Sequence, residues 1–338
     1  MNLMSGCNYF DHIHGYTVSP LWLTKFNLEE KNSGLNFCYT QCFKVWGFAS
    51  MRWKGHRRSS RVEDRRGKGG VVRGGAKLSG GMIIIALIYA VVTGQNPLSL
   101  LGGMVQQNTG SSQQQVKIPK RQSAAEQENA EFSSVIFAST EDIWNQIFSR
   151  SGQQYQAPSM VLFDGQVQSR CGINSEAVGP FYCPGDNKVY LSLGFFQQLE
   201  RMGAPGDFAR AYVIGHEVGH HIQNITGTAS QVRQWQQQAS SKVEVNQLSV
   251  LMELQADCLA GVWAHHANQQ QNMLEAGDVE EGLRAAASIG DDTIQQRAGR
   301  QVNVEGFTHG TSAQRVKWLK RGLQTGNYDS CNTFSEGA

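Results

Sequence analysis

The sequence predicts an α+β fold, a small sheet followed by a mostly helical region. Two observations carry this reading. The stretches 158–172 (PSMVLFDGQVQSRCG) and Lys188–Leu193 (KVYLSL) have the short apolar alternation of strands, with Val189, Leu191 and Leu193 set against Tyr190 and Ser192. From Asp207 onward the chain carries helical spacing almost throughout. Strands first and helices after them is the order of an α+β domain.

Taken from the N-terminus, residues 1–50 show no clear period and carry Cys7, Cys38 and Cys42. They read as a non-native or unstructured extension. Residues 51–79 are basic, with ten Lys/Arg against two acidic residues between Met51 and Lys77, although the whole chain has a formal charge of only +2. A basic run of this kind can bind nucleic acid. This one has no interleaved aromatics beyond Trp53 and stops just before an apolar stretch, so positive charge on the cytoplasmic side of a membrane explains it better. No nucleic-acid partner is expected.

Residues 80–105 are the expected transmembrane anchor. Met82–Val92 is uninterrupted apolar sequence, and no charge occurs from Ser79 to Val116. A span needs about 20 residues, which the flanks supply, and Pro97 ends or kinks the helix. A cleaved signal peptide and a buried core helix are the rival readings; the first lacks a clean cleavage site. Residues 106–128, rich in Gln, Ser and Asn, read as a flexible linker. The folded domain is expected over 129–338. Its first helix is expected to start at Thr140 as N-cap, with Ile143, Trp144, Ile147 and Phe148 as the apolar stripe.

Four of the seven cysteines lie beyond the expected anchor: Cys171, Cys183, Cys258 and Cys331. An even number permits full pairing. Cys171 with Cys183 would staple two strands across a loop, and Cys258 with Cys331 would tie a helix to the C-terminus. Three connectivities are open, as are free buried thiols.

The chemistry concentrates at His216-Glu217-Val218-Gly219-His220, an H-E-x-x-H motif in a helical stretch. Residues four apart share a helix face, so both imidazoles reach one metal ion, with Glu217 beside it. A zinc hydrolase needs a third protein ligand and a carboxylate to orient a ligating His. Glu253 and Asp257, four apart on a helix expected from about Asn246 to Ala267, fill those roles. Zn²⁺ on His216, His220 and Glu253 leaves a fourth position for water, and Glu217 is placed as general base. His309, before Thr311-Ser312 and a helix, is the candidate for stabilising the oxyanion. Arg315 is a candidate for orienting a carboxylate at the site. His221 points about 100° away from His220, and His265 and His266 end the second helix, so these three read as structural. Strand Lys188–Leu193 is the candidate edge for clamping an extended peptide, with a plain core strand as the alternative.

The wording HEVGHHIQN, then ELQADCLAGVWAHHA, then FTHGTSAQRVKW resembles the bacterial neutral zinc metallopeptidase family. MRWKGHRRSSRVEDRRG, AVGPFYCPGDNKVYL and AAASIGDDTIQ fit it too, so the likeness runs from Met51 to Phe334. The H-E-x-x-H and E-x-x-x-D pair is similar to that of gluzincins. More distantly, E-x-x-A-D and the Thr308-His309…Arg315 segment resemble the M48 peptidases. The resemblance implies a zincin-like, membrane-anchored zinc peptidase acting on peptide or protein substrates, with His309 facing the zinc. It also implies that Met51 is the native start.

The expected protein is therefore a single-pass inner (cytoplasmic) membrane metallopeptidase, its catalytic domain facing the periplasm or cell exterior. Two alternatives share the site: another zinc-dependent amide hydrolase, such as a cell-wall amidase, and a catalytically inactive zinc-containing binding protein.

Overall fold

The computed structural model describes residues 50–67 and 122–336. The expected anchor 80–105, the extension 1–49 and most of the linker lie outside the described residues. Among the described residues no helix is long and apolar enough to cross a membrane.

The architecture is α+β and dominated by helices, as the sequence predicts. Strand β1 (Val62–Asp64) is followed by helix α1 (Ala124–Arg150), β2 (Ser159–Phe163), β3 (Gln166–Ser169), β4 (Gly172–Ser175), β5 (Phe181–Cys183) and β6 (Lys188–Ser192). Then come α2 (Gly194–Arg201), α3 (Asp207–Ile225), α4 (Thr228–Gln238), α5 (Lys242–Gln271), α6 (Asp278–Ser288), α7 (Asp291–Arg297), α8 (Ser312–Thr325) and α9 (Thr333–Glu336). The main sheet has the order β1-β2-β6-β5, and β3-β4 form a separate hairpin. β2 runs parallel to both β1 and β6, in registers Val62↔Met160 and Met160↔Val189, while β5 is antiparallel to β6.

This order corrects the expected substrate strand. β6 lies between β2 and β5, so its backbone groups are used on both sides and it cannot take on a peptide. β5 is the free edge on the side of α3.

Over its described residues, 51–67, the basic segment packs against the folded domain. Met51 and Trp53 are buried in the main core, and β1 extends the sheet. Its arginines pair with the domain, Arg52 with Glu275, Arg57 with Glu141 and Asp142, and Arg58 with Glu131, while Arg66 pairs with Asp64 inside the segment. Arg66 also donates to the Glu126 carbonyl and to Gln122. Over the described residues, much of the charge that reads as cytoplasmic in sequence is paired with acidic groups.

Two further expectations shift. α1 begins at Ala124 rather than near 140, because Ser123 and Glu126 form a capping box. Thr140 sits buried in mid-helix and bonds back to the Phe137 carbonyl. The apolar stripe holds nonetheless, with Ile143, Trp144 and Phe148 buried.

α3 and α5 pack unusually closely, and the sequence shows why. A Cβ on Gly215 would meet Trp263 at 2.9 Å, and one on Gly219 would meet the Ala256 carbonyl at 2.9 Å. The two glycines, four apart in α3, face the small residues Ala256 and Ala260 of α5. That near approach brings carboxylates of α5 within reach of imidazoles on α3.

Candidate metal centre

α3 and α5 meet at His216, His220 and Glu253, the three side chains whose ligand atoms converge closely enough to hold one metal ion. His216 Nε2 lies 3.2 Å from Glu253 Oε2, and His220 Nε2 lies 3.5 Å from Oε1. These separations, one to each oxygen of the carboxylate, are close to the roughly 3.3–3.6 Å between donor atoms that sit about 2.0–2.2 Å from a tetrahedral zinc. The donor set, two imidazoles and a carboxylate, is that of a catalytic rather than a fully closed structural site.

The far nitrogens are fixed. His216 Nδ1 donates to Asp257 Oδ1 at 2.8 Å, and His220 Nδ1 donates to Gln223 Oε1 at 2.9 Å. In the neutral rings Nε2 is then the atom that faces the metal position. Asp257 is fully buried and accepts from Tyr212 Oη at 2.5 Å and from Arg315 Nε and Nη2 at 2.8 and 2.9 Å. Burial alone would raise the Asp257 pKa; Arg315 and His216 outweigh it and hold it down to about 2. Arg315 therefore orients a carboxylate at the site, one of the roles its position allows.

Glu217 is buried beside the two imidazoles. Burial is the main cause of its raised pKa, opposed by the histidines and by a hydrogen bond from the Tyr182 backbone on β5. A carboxylate with a raised pKa holds a proton more firmly than a free one.

His309 lies outside the ligand cluster but within its field. Asp291 Oδ2 accepts from the backbone N–H groups of Thr308, His309 and Gly310 at 2.7, 2.7 and 3.1 Å, and Asp291 Oδ1 lies 3.2 Å from His309 Nδ1. Gly310 makes the turn possible at φ 90°. Burial disfavours the His309 cation, yet Asp291 and Glu253 more than offset it and raise its pKa.

His221, His265 and His266 bond to backbone carbonyls of the fold. His221 Nε2 donates to the Gln156 carbonyl at 2.6 Å, while His265 and His266 bond the carbonyls of Leu323 and Gly326. Both cysteine pairings form, Cys171–Cys183 and Cys258–Cys331. The first ties the β3-β4 hairpin to edge strand β5.

Sequence reasoning missed three contributors. Tyr212 and Gln223 stand one turn before His216 and one turn after His220, a spacing that could have found them. Asp291 is distant in sequence, and no local signal marks it.

The sequence profile described as "Putative neutral zinc metallopeptidase" matches residues 51–334. The chain belongs to that family. The Escherichia coli (strain K12) protein YpfJ, itself uncharacterized, is 48% identical over 291 residues, covering 85% of this chain and 99% of the relative. An uncharacterized protein of Mycobacterium tuberculosis (strain H37Rv) is 44% identical over 192 residues, covering 54% of this chain and 64% of the relative. No solved structure matches. Zinc is accordingly the metal that the His216, His220 and Glu253 cluster fits.

Proposed function

We propose that this family member is a zinc-dependent peptidase with a zincin-like domain, and that Glu217 is its general base. The observation that carries the reading is the convergence of His216, His220 and Glu253 ligand atoms, close enough to hold one metal ion, with a buried carboxylate alongside. Zinc, when bound, acidifies a water and polarises the scissile carbonyl. Glu217 takes the water's proton and passes it to the leaving amine. His309, held by Asp291, donates to the oxygen on which negative charge develops. Asp257 and Gln223 keep the two imidazoles aimed.

An extended peptide would lie along β5. That strand is the sheet edge beside α3, and its Tyr182 N–H already reaches Glu217. Two disulfides suit an oxidising compartment, which supports a position of the domain outside the cytosol. Segment 80–105 would hold it at a membrane, with residues 50–67 and 122–336 on one side.

The test compares the full chain with Glu217→Gln, measuring zinc content and cleavage of a peptide library beside peptidoglycan fragments. Retained zinc with turnover lower by about 10²–10⁴-fold is expected. Equal turnover would remove the proposed base. Cleavage of peptidoglycan fragments but not of peptides would favour the amidase reading.

A further inference from the structure

The two imidazoles of the zinc site are oriented by different means. His216 leans on a charged carboxylate, whereas His220 leans on a neutral amide whose direction must be set by something else. The hydrogen bonds around Gln223 show what sets it.

A backbone carbonyl can only accept. Gln255 Nε2 donates to the Cys331 carbonyl at 3.1 Å, so Gln255 turns its Oε1 toward Gln223. Gln223 Nε2 donates to that oxygen at 3.0 Å and to the Met252 carbonyl at 2.7 Å. Both amide hydrogens of Gln223 are then used, and its Oε1 faces His220 Nδ1. The ring must carry its proton on Nδ1, leaving Nε2 as the metal-binding atom. Gln223, Gln255 and Cys331 are all buried, so water does not compete for these bonds.

The chain of donors starts at a covalent anchor. Cys331 is bonded to Cys258, which lies in α5 three residues after Gln255 and five after Glu253. Thr333 adds a second tie, donating to the Leu251 carbonyl from a fully buried position. The C-terminal segment is thus clamped to the helix that supplies the third ligand.

We propose that Gln223 and Gln255 are positioning residues for His220, and that the disulfide-held Cys331 carbonyl sets their direction, so that the C-terminal segment is part of the zinc site. This rests on zinc occupying the His216, His220 and Glu253 cluster. It makes zinc retention depend on a disulfide whose sulfur atoms do not touch the metal.

The test uses the full chain and near-isosteric changes, Gln223→Met and Gln255→Met, with Cys258→Ser/Cys331→Ser as the anchor variant. Cys171→Ser/Cys183→Ser is the control for loss of a disulfide, since that bond lies outside the hydrogen-bond chain from Cys331 through Gln255 and Gln223 to His220. Zinc affinity is read by chelator competition and ligand geometry by the visible spectrum of the cobalt-substituted protein. The ¹⁵N shifts of His220 report its tautomer in the metal-free protein. Loss of an orienting partner typically weakens metal binding by about 10–100-fold. Losses in that range are expected for Gln223→Met, with smaller losses in the same direction for Gln255→Met and the anchor variant. Each should show mixed His220 tautomers, while the control matches the wild type. Wild-type affinity, cobalt spectrum and tautomer in both Gln255→Met and the anchor variant would overturn the inference while leaving the zinc site standing. A wild-type chain that binds no zinc would overturn the site reading and this inference together.

Discussion

Arg315 and Asp257 form a two-point ion pair at the floor of the metal site, Nε to Oδ2 at 2.8 Å and Nη2 to Oδ1 at 2.9 Å, with both side chains withdrawn from solvent. The same Oδ1 holds His216. The pair therefore joins α8 to the zinc helix α3 through α5, and its loss should be felt in both stability and metal binding.

Arg315→Met keeps much of the side-chain volume but strands the Asp257 charge. Removing one partner of a buried pair costs about 3–5 kcal/mol. Urea denaturation of the full chain, metal-free, should show a loss in that range, and zinc affinity should fall as His216 loses its fixed acceptor. A change under 1 kcal/mol would mean that Asp257 is already compensated by Tyr212 and His216.

Acid should destabilise the fold through His221. Burial pushes its pKa down to about 4 from 6.5. In the unfolded chain the ring protonates at its ordinary value, so between pH 6.5 and 4 the unfolded state binds more protons. Stability is full above 6.5 and lost progressively as pH falls through that window. The shift corresponds to about 3 kcal/mol. Denaturant titrations at pH 7 and pH 4.5 should show the loss, and His221→Asn should flatten the slope.

Zinc uptake should release a proton from His216. Without the cation, burial opposes charge on this ring, but Asp257 and Glu253 raise its pKa to about 10. At neutral pH the ring is then charged, and it must give up the Nε2 proton to bind metal. Zinc affinity is expected to rise with pH across the neutral range. Calorimetry of zinc binding in buffers of differing ionisation enthalpy measures the proton count, and a count of zero would contradict the charged ring.

What was legible in the sequence was local. The four-residue spacings His216–His220 and Glu253–Asp257 announced a shared helix face, and alternation announced β2, β3 and β6. What escaped depended on partners far along the chain. β1 hides in a basic run because only its pairing with β2 makes it a strand. β5 is three residues long, and only the strand order reveals it as the edge. Thr140 looked like a cap because the capping box at Ser123 lies in a polar stretch with no apolar period. Gln223 carries no charge and no motif, and its role appears only once Gln255 and Cys331 are placed.

The docking of residues 50–67 yields a membrane-topology prediction. Burying Met51 and Trp53 contributes roughly 1.5–3 kcal/mol each, and β1 adds its hydrogen bonds to β2. Arg66, itself buried, bridges the two ends that flank residues 68–121 by bonding to Gln122 and to the Glu126 carbonyl. Pulling this segment through a bilayer would forfeit all of these contacts. Lys54 and Lys320, both exposed on the folded body, should therefore face the same compartment. The check is Lys54→Cys and Lys320→Cys, made singly in a chain with Cys7, Cys38 and Cys42 changed to Ser. Each is treated with a membrane-impermeant maleimide in membrane vesicles of known orientation. Both sites labelled, or both protected until detergent is added, is the expected result. Labelling of one and protection of the other would show that β1 leaves the sheet in the membrane-bound protein.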